Sequence, residues 1–291
     1  MAAPAGRRAD VAPVAVELNG SNRVEVEAAQ HLRGPARRRA VILRCGRDTR
    51  LLRELSVEPR DYDLIVTLYE SVEDGAALCE SADSIWLGGL SKFQAAKKIA
   101  AAWPQLHGYD HVMLLDPDLT LPASGIEMVF EVAARRRLSL CQPAVSGASF
   151  TAHRFLKHRA DGSEFFATNF IEVMAPCFSA AAFRRCMPTF DEALSSWGLD
   201  FEWPQRLGWR GMGVVNCVQV DHPDRPDLEG GAFYRYLRER DIDPLRDLQR
   251  FRDATWFRRR LYIPGPILFP GDLFTPWWWR RKHKKSRRRA S

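Results

Sequence analysis

The chain has 291 residues, of which 46% are hydrophobic and 11% are aromatic. That apolar content can bury a substantial core, which excludes a disordered chain. No run of about eighteen consecutive apolar residues occurs, and the N terminus lacks the apolar segment of a signal peptide, so we expect a cytoplasmic protein. The net charge of +7 comes mainly from the two ends of the chain.

Three regions are predicted from composition. Residues 1–38 are rich in Ala, Pro, Gly and Arg without a sustained period, which is typical of a flexible lead-in. Residues 39–260 form the predicted folded domain. Residues 261–291 form a Pro- and Trp-rich tail that ends in the basic run RRKHKKSRRR.

The middle region alternates short apolar runs, typical of buried strands, with segments of helical spacing. The predicted strands are 40–45, 62–69, 111–119, 139–145, 164–179 and 214–222. The predicted helices are 93–103, 127–138, 180–187, a segment from Trp197 that stops at Pro204 and Gly208, and 232–254 with a break near Pro244. This alternation favours one α/β domain with a mainly parallel, mixed sheet flanked by helices.

Two carboxylates follow the strand HVMLL, in the turn Asp116-Pro117-Asp118. Ligands bind at the carboxyl ends of strands in open α/β sheets, and the intervening proline restricts the backbone that carries both acids. Carboxylate oxygens suit Mg²⁺ or Mn²⁺, which can bridge a protein to a diphosphate. The alternative is a turn with solvated acids, but the position directly after a strand favours a site.

Asp221 and His222 end the last predicted strand in the same way. The His222 imidazole could complete the carboxylate site for Mn²⁺ or contact the diphosphate. An ordinary loop histidine before Pro223 is the alternative.

The segment SSWGLDFEW sets Asp200 and Glu202 among large aromatic rings. Acids beside apolar rings tend to have raised pKa values, as a general base requires, and aromatic faces such as that of Trp197 suit the C–H surfaces of a sugar. The alternative is a helix N terminus with favourable acids and core tryptophans.

Two further residues are candidates for ligand contact. Lys92, after a glycine-containing turn, could bind phosphate or an anionic sugar, although a solvated lysine at a helix start is commoner. Glu172 lies in the apolar run NFIEVMAP, where an unpaired carboxylate would be costly to bury, so it should bond a hydroxyl or a cation unless it faces water on an edge strand.

The order and spacing of YDLIV, the Lys92 helix, YDHVMLLDPDL, SLCQPAV, FIEVMAPCFS, SSWGLDFEW and VDHPDRP resemble the DUF707 family over residues 40–226. Members of this family are similar to glycosyltransferases of the GT-A type, which have a Rossmann-like fold. The resemblance implies that Asp116 and Asp118 are the metal-binding DxD, that Asp200 is the acid of the acceptor-side helix, and that His222 is the C-terminal histidine ligand. The acid motif reads Leu-Asp-Phe-Glu, which leaves the base open between Asp200 and Glu202.

The predicted function is therefore that of a metal-dependent glycosyltransferase, which moves a sugar from a nucleotide-sugar donor to a hydroxyl acceptor. The alternative is a catalytically silent module that binds a sugar nucleotide or a glycan. A nucleic-acid binder is disfavoured, because the basic residues cluster in the tail and not among aromatics of the middle region.

The tail sequence TPWWWRRKHKKSRRRAS joins tryptophans to a cationic cluster. This composition is typical of a peripheral anchor on an anionic membrane. A solvated tail is the alternative. An anchored enzyme would act on a lipid-linked or surface-polysaccharide acceptor.

Overall fold

The computed structural model describes residues 26–30, 32, 34–45, 49–57, 59–68, 82–222 and 232–254. The strands in this part of the chain are β1 (Val26–Gln30), β2 (Arg39–Cys45), β3 (Asp63–Leu68), β4 (Ser84–Gly88), β5 (His111–Leu115), β6 (Leu140–Val145), β7 (Phe165–Ala167), β8 (Cys177–Ser179) and β9 (Met212–Val220). The α-helices are α1 (Arg50–Val57), α2 (Lys92–Ala102), α3 (Ala123–Arg135), α4 (Ala180–Cys186), α5 (Leu199–Arg206), α6 (Ala232–Arg238) and α7 (Pro244–Ala254).

The described strands form one sheet in the order β1-β4-β3-β2-β5-β8-β6-β9-β7. Strands β2, β3, β4, β5, β6 and β9 share one direction, whereas β1, β7 and β8 run the other way. The predicted α/β class, with a mainly parallel mixed sheet in a single domain, is confirmed. The common direction brings the carboxyl ends of six strands to one edge of the sheet.

Helices cover both faces of the sheet, because each face carries its own apolar layer. Residues of α1 and α3, such as Leu55 and Phe130, are buried in one layer. Residues of α2, α4 and α5, such as Phe93, Phe183 and Trp203, are buried in the other. None of the described helices is long and apolar enough to cross a membrane.

Most predicted strands are confirmed, but the long strand predicted at 164–179 is wrong. Only its two ends are strands, β7 and β8, and residues 168–176 leave the sheet between them. Phe170, Ile171 and Ala175 are fully buried all the same. The apolar run therefore marks burial, which an irregular segment achieves here without strand pairing.

Three smaller differences concern boundaries. Strand β5 ends at Leu115, so Asp116 already belongs to the turn. Helix α5 continues through Pro204 to Arg206, because a proline removes one N–H while the Leu207 amide still donates to the Trp203 carbonyl at 2.9 Å. Within the predicted flexible lead-in, Val26–Gln30 form the edge strand β1, which pairs with β4.

The basic tail at 261–291 lies outside the described residues. Its affinity for an anionic membrane stays a prediction from sequence.

Strand β9 carries an irregular stretch before it reaches the carboxyl edge. The pairing with β6 passes from Pro143–Val215 directly to Ala144–Gln219, so residues 216–218 have no register partner in β6. Asn216 fills this bulge, because its side chain bonds the backbone N–H and carbonyl of Arg159 at 2.8 and 2.9 Å. Val218, the last residue of the bulge, and Val220 are buried, whereas Gln219 between them is exposed.

Helix α7 packs against the turn that begins α5. Asp247 of α7 accepts hydrogen bonds from the Ser195 backbone N–H at 3.1 Å and the Ser195 hydroxyl at 2.7 Å. Gly198 has a φ of 94°, and a Cβ at this position would lie 2.8 Å from the Cβ of Phe251. The turn therefore needs a glycine for its conformation and for its contact with α7.

We expect Asp247→Ala to lower the free energy of unfolding by about 1–2 kcal/mol, because Ser195 loses a charged acceptor for two donors. Urea unfolding monitored by circular dichroism measures this change. Arg246→Ala, an exposed substitution on the same helix, is the matched control and should leave stability nearly unchanged. Equal stabilities of the two variants would contradict the role given to Asp247.

Candidate active site at the carboxyl edge of the sheet

Acidic and basic side chains from separate strands meet at the carboxyl edge. Asp116 and Asp118 follow β5, His222 follows β9, and Lys92 begins α2 shortly after β4. These three strands run in the same direction, so their carboxyl ends lie together, as expected for a ligand site in an open α/β sheet. The sequence-predicted site residues of the DPD turn are thus brought near His222 and Lys92.

Lys92 is buried, with 3% of its side chain exposed. Its ammonium lies 2.8 Å from the Asp116 carboxylate and donates to the Met174 carbonyl at 2.7 Å. The same carbonyl accepts the Asp116 backbone N–H at 3.0 Å. Burial lowers the pKa of Lys92 and raises that of Asp116, although the attraction between the two charges opposes both shifts. Lys92 therefore holds Asp116 in place.

The loop that leads into Lys92 is fixed by hydrogen bonds. The buried Arg44 guanidinium donates to the carbonyls of Gly88 and Gly89, at 2.5 Å each. The Ser91 hydroxyl caps α2 by accepting the Gln94 N–H at 3.3 Å. Arg44 thus fixes the backbone before Lys92, and the Ser91 cap fixes the first turn of the helix that carries it.

Asp118 and His222 form the more accessible part of the site. The His222 Nε2 lies 3.5 Å from an Asp118 carboxylate oxygen, and 57% of the Asp118 side chain is exposed. The hydrogen bond to Asp118 raises the pKa of His222. Partial burial acts to raise the pKa of Asp118, but the hydrogen bond and charge of His222 outweigh it, so that pKa is lowered.

His222 is oriented by its neighbours. Its backbone N–H donates to the Ser149 hydroxyl at 2.9 Å, and its Nδ1 lies 3.4 Å from the Phe150 carbonyl. A proton on Nδ1 would satisfy that carbonyl, and Nε2 would then be free to donate to Asp118 when protonated or to offer its lone pair to a cation when it is not. The backbones of Asp221 and Thr120 also exchange hydrogen bonds at 2.9 and 3.1 Å, which ties the end of β9 to the chain after the DPD turn.

The donor set of Asp118 and His222 fits a divalent cation such as Mn²⁺, which accepts carboxylate and imidazole ligands. The Asp116 carboxylate fits less directly, because Lys92 holds one of its oxygens. Within the described residues, no group of three or more His, Cys, Asp or Glu side chains is arranged to hold a metal ion.

Asp200 and Glu172 lie in a second part of the site, where Asp200 is buried and Glu172 is half-buried with its Oε2 inaccessible to solvent. Asp200, in the first turn of α5, is 6% exposed. Burial and then the charge of Glu172 raise its pKa well above the ordinary value, against the backbone hydrogen bonds of Asp200, Phe201 and Val173. Burial likewise raises the pKa of Glu172 to about 7, opposed by the hydroxyl of Thr151 and the charge of His222. The charge of Glu172 therefore acts on the ionisation of Asp200.

Glu202 and Trp197, also predicted as site residues, face other partners. Glu202 forms an ion pair with Arg206 at 3.1 Å, one helical turn along α5. The Trp197 ring lies edge-on to Tyr234 of α6, with the ring centroids 6.1 Å apart. Asp200, in contrast, lies in an environment that raises its pKa.

Sequence reasoning missed the residues that support these side chains. Met174 contributes a backbone carbonyl to Lys92, and Thr151 donates its hydroxyl to Glu172 at 3.0 Å. The side-chain oxygen of Gln142 accepts the Glu172 N–H at 2.7 Å. A polar residue inside the apolar strand LCQPAV was the one available signal, and it points to Gln142.

No protein-family model and no curated protein sequence matches the chain. Solved structures do match its fold. The crystal structure of GalNAc-T7 with UDP, GalNAc and Mn²⁺ matches with a TM-score of 0.50 and 14% identity, over 75% of this chain and 48% of that chain. S. aureus TarS matches with a TM-score of 0.44 and 11% identity, over 76% of this chain and 44% of that chain.

The TarS 1-349 structure in complex with UDP-GlcNAc gives a TM-score of 0.44 and 10% identity, over 75% of this chain and 73% of that chain. The similarity to GalNAc-T7 shows a GT-A type of α/β fold. This chain spans about half the length of the GalNAc-T7 chain. Membership of DUF707 stays a prediction from the sequence motifs.

We expect Asp200→Asn to unfold at a higher temperature than the wild type at about pH 8, with a gap that shrinks toward about pH 5. A carboxyl whose pKa is raised by folding contributes most to stability below its unfolded pKa, and that contribution is lost as the pH rises through the folded pKa. Asparagine does not ionise, so the variant avoids this loss.

Thermal unfolding across that pH range measures the gap. Glu131→Gln, which removes an exposed carboxyl from α3, is the control and should track the wild type. A gap that is independent of pH, or a variant less stable than the wild type at the upper end, would contradict the environment described for Asp200.

Proposed function

We propose that this chain is a metal-dependent glycosyltransferase that moves a sugar from a nucleotide-sugar donor to a hydroxyl acceptor. One observation carries the proposal. The carboxyl edge of the sheet combines an accessible carboxylate–imidazole pair, Asp118 and His222, with a buried carboxyl, Asp200, of raised pKa. Two acids in such different environments suit two different chemical roles.

Asp118 and His222 would hold the cation at the donor side, with Asp116 beside them in the orientation that Lys92 gives it. A bound Mn²⁺ or Mg²⁺ would neutralise the developing charge of the leaving nucleoside diphosphate. Lys92 contributes a positive charge behind Asp116, which offsets part of the repulsion between neighbouring carboxylates.

Asp200 would act as the general base. The acceptor oxygen forms a bond to the anomeric carbon, the bond from that carbon to the diphosphate oxygen breaks, and the leaving nucleoside diphosphate keeps the electron pair. The acceptor proton passes to the Asp200 carboxylate. This is a direct inverting displacement, and a retaining course would be an alternative that the stereochemistry of the product decides.

The role of general base depends on the protonation state of Asp200. A general base works in its deprotonated form, and burial and Glu172 raise the pKa of Asp200. The acceptor hydroxyl donates to the carboxylate and favours the charged form, so binding of the acceptor lowers that pKa again.

A catalytically silent module that binds a sugar nucleotide or glycan is the alternative. It would keep donor binding without turnover. A thermal-shift screen against nucleoside diphosphate sugars with Mn²⁺ identifies the donor for both cases, because a ligand that binds only the native state raises the melting temperature. Product formation then separates them.

We expect Asp118→Asn to abolish Mn²⁺-dependent binding of the nucleotide, since the amide cannot supply a charged ligand to the cation. Titration calorimetry with UDP and GDP, with and without Mn²⁺, measures the effect. Asp221→Asn is the matched control, because Asp221 lies at the same edge but bonds Ser149 and Thr120. Metal-dependent affinity that survives in Asp118→Asn would refute the donor site.

We expect Asp200→Asn to reduce transfer at least about a hundredfold, the scale of general-base catalysis, with donor affinity little changed. Glu202→Gln should retain most activity, because Glu202 is paired with Arg206. Steady-state kinetics with the donor found in the screen compares the two variants. If Glu202→Gln lost activity and Asp200→Asn did not, Glu202 would be assigned as the general base. Full activity in both variants would refute a general base on this helix.

A further inference from the structure

Two buried carboxyl oxygens at the candidate site lack a hydrogen-bond partner in the described part of the chain. They are Oε2 of Glu172 and Oδ1 of Asp200. Burial of an unpaired carboxyl oxygen is costly, and buried polar atoms in native proteins nearly always have partners. A pair of such atoms at one site indicates that a ligand supplies the missing donors.

The rest of each carboxyl is already held, so the unpaired oxygens have defined positions. The other oxygen of Glu172 accepts the Thr151 hydroxyl at 3.0 Å, and the Glu172 N–H donates to Gln142 at 2.7 Å. The Asp200 carboxyl interacts with the backbone N–H of Val173, the residue next to Glu172. The two carboxyls are therefore neighbours, and each has one oxygen available.

Aromatic residues adjoin this pair, because the His153 backbone N–H donates to the Thr151 hydroxyl that also bonds Glu172. Phe201 follows Asp200, and its ring centroid is 5.2 Å from that of Phe170 and 6.3 Å from that of His153. The His153 ring lies 4.3 Å from Phe170, and burial lowers the pKa of His153 to about 4. The lowered pKa favours the neutral form of the His153 imidazole, so this ring does not supply a positive charge to the two acids.

We infer that Glu172 and Asp200 together bind two adjacent hydroxyl groups of a carbohydrate acceptor, one hydroxyl donating to Glu172 Oε2 and the next to Asp200 Oδ1. The inference rests on the proposed function and deepens it, since it assigns the acceptor class and gives Glu172 a binding role. A sugar presents neighbouring hydroxyls and C–H surfaces, which match the paired acceptors and the rings. A lone hydroxyl, as in a serine side chain, would satisfy only one oxygen.

The same contacts explain how a buried acid can act as a base. While the site is empty, burial and the charge of Glu172 raise the pKa of Asp200, which disfavours its charged form. Two sugar hydroxyls would donate to the carboxyls and stabilise their charged forms. Binding of the correct acceptor thus favours the deprotonated form of Asp200, which is the form that acts as a base.

Saturation-transfer NMR with methyl glucoside, methyl galactoside and methyl mannoside tests the inference, with UDP and Mn²⁺ present and absent. We expect binding of at least one glycoside and none of N-acetylserine amide. Glu172→Gln, which keeps the volume but replaces an acceptor oxygen, should weaken that binding about tenfold or more. Glu131→Gln, an exposed change on α3, should bind like the wild type.

Thr151→Val provides a second variant, because it removes the hydroxyl that orients Glu172, and it should also weaken glycoside binding. Unchanged glycoside affinity in both folded variants, no glycoside binding by the wild type, or preference for the serine derivative would overturn the inference. Titration of the same samples with UDP and GDP distinguishes failure of this inference from failure of the proposed function. If a nucleotide binds but the wild type binds no glycoside, or the variants bind it unchanged, this inference alone is rejected, whereas absence of both UDP and GDP binding by the wild type rejects the proposed function.

Discussion

The site depends on one buried ammonium, that of Lys92. It joins three parts of the chain that are distant in sequence, because it begins α2, pairs with Asp116 after β5 and donates to the Met174 carbonyl. An ammonium removed from water has to be paired, so the three parts can pack only in an arrangement that brings a carboxylate and a carbonyl to it. The DPD turn and the segment at 168–176 are aligned by that requirement.

The segment at 168–176 in turn connects the two halves of the site. Met174 faces Lys92 and the DPD turn, while Glu172, two residues earlier, faces Thr151 and influences Asp200. A shift of this backbone would move both halves together. The donor-side charges and the acceptor-side acids are therefore parts of one electrostatic system. The charge of His222 opposes the rise that burial causes in the pKa of Glu172, and the charge of Glu172 adds to the rise in the pKa of Asp200.

Much of the fold could be predicted from the sequence, because buried parallel strands are continuous apolar runs and the helices between them are amphipathic. The DPD turn could be located for the same reason, since it directly follows such a run. The edge strand β1 and the short strand β4 were not predicted, as neither has the length or pattern that distinguishes a strand in isolation.

The environments of the site residues could not be predicted, because they arise from contacts between distant segments. A lysine at a helix start is usually solvated, and only the folded chain surrounds Lys92 with Asp116 and Met174. Glu172 was recognised as a costly residue to bury, but its partner Thr151 and its neighbour Asp200 come from other parts of the fold. The ion pair of Glu202 with Arg206, in contrast, is local to one helix and follows from their spacing.

The bulge in β9 determines which residue at the end of the strand faces Asp118. Side chains alternate between the two faces of a strand. One residue more or fewer therefore moves every later side chain to the opposite face. Residues 216–218 are the surplus in β9, and Val220 and His222 lie at alternate positions after it. Insertion of a single residue there, if the register after it moved by one, would present Asp221 to Asp118 in place of the imidazole. The pairing of unlike charges would become a repulsion between like charges, although no residue of the site itself had been altered.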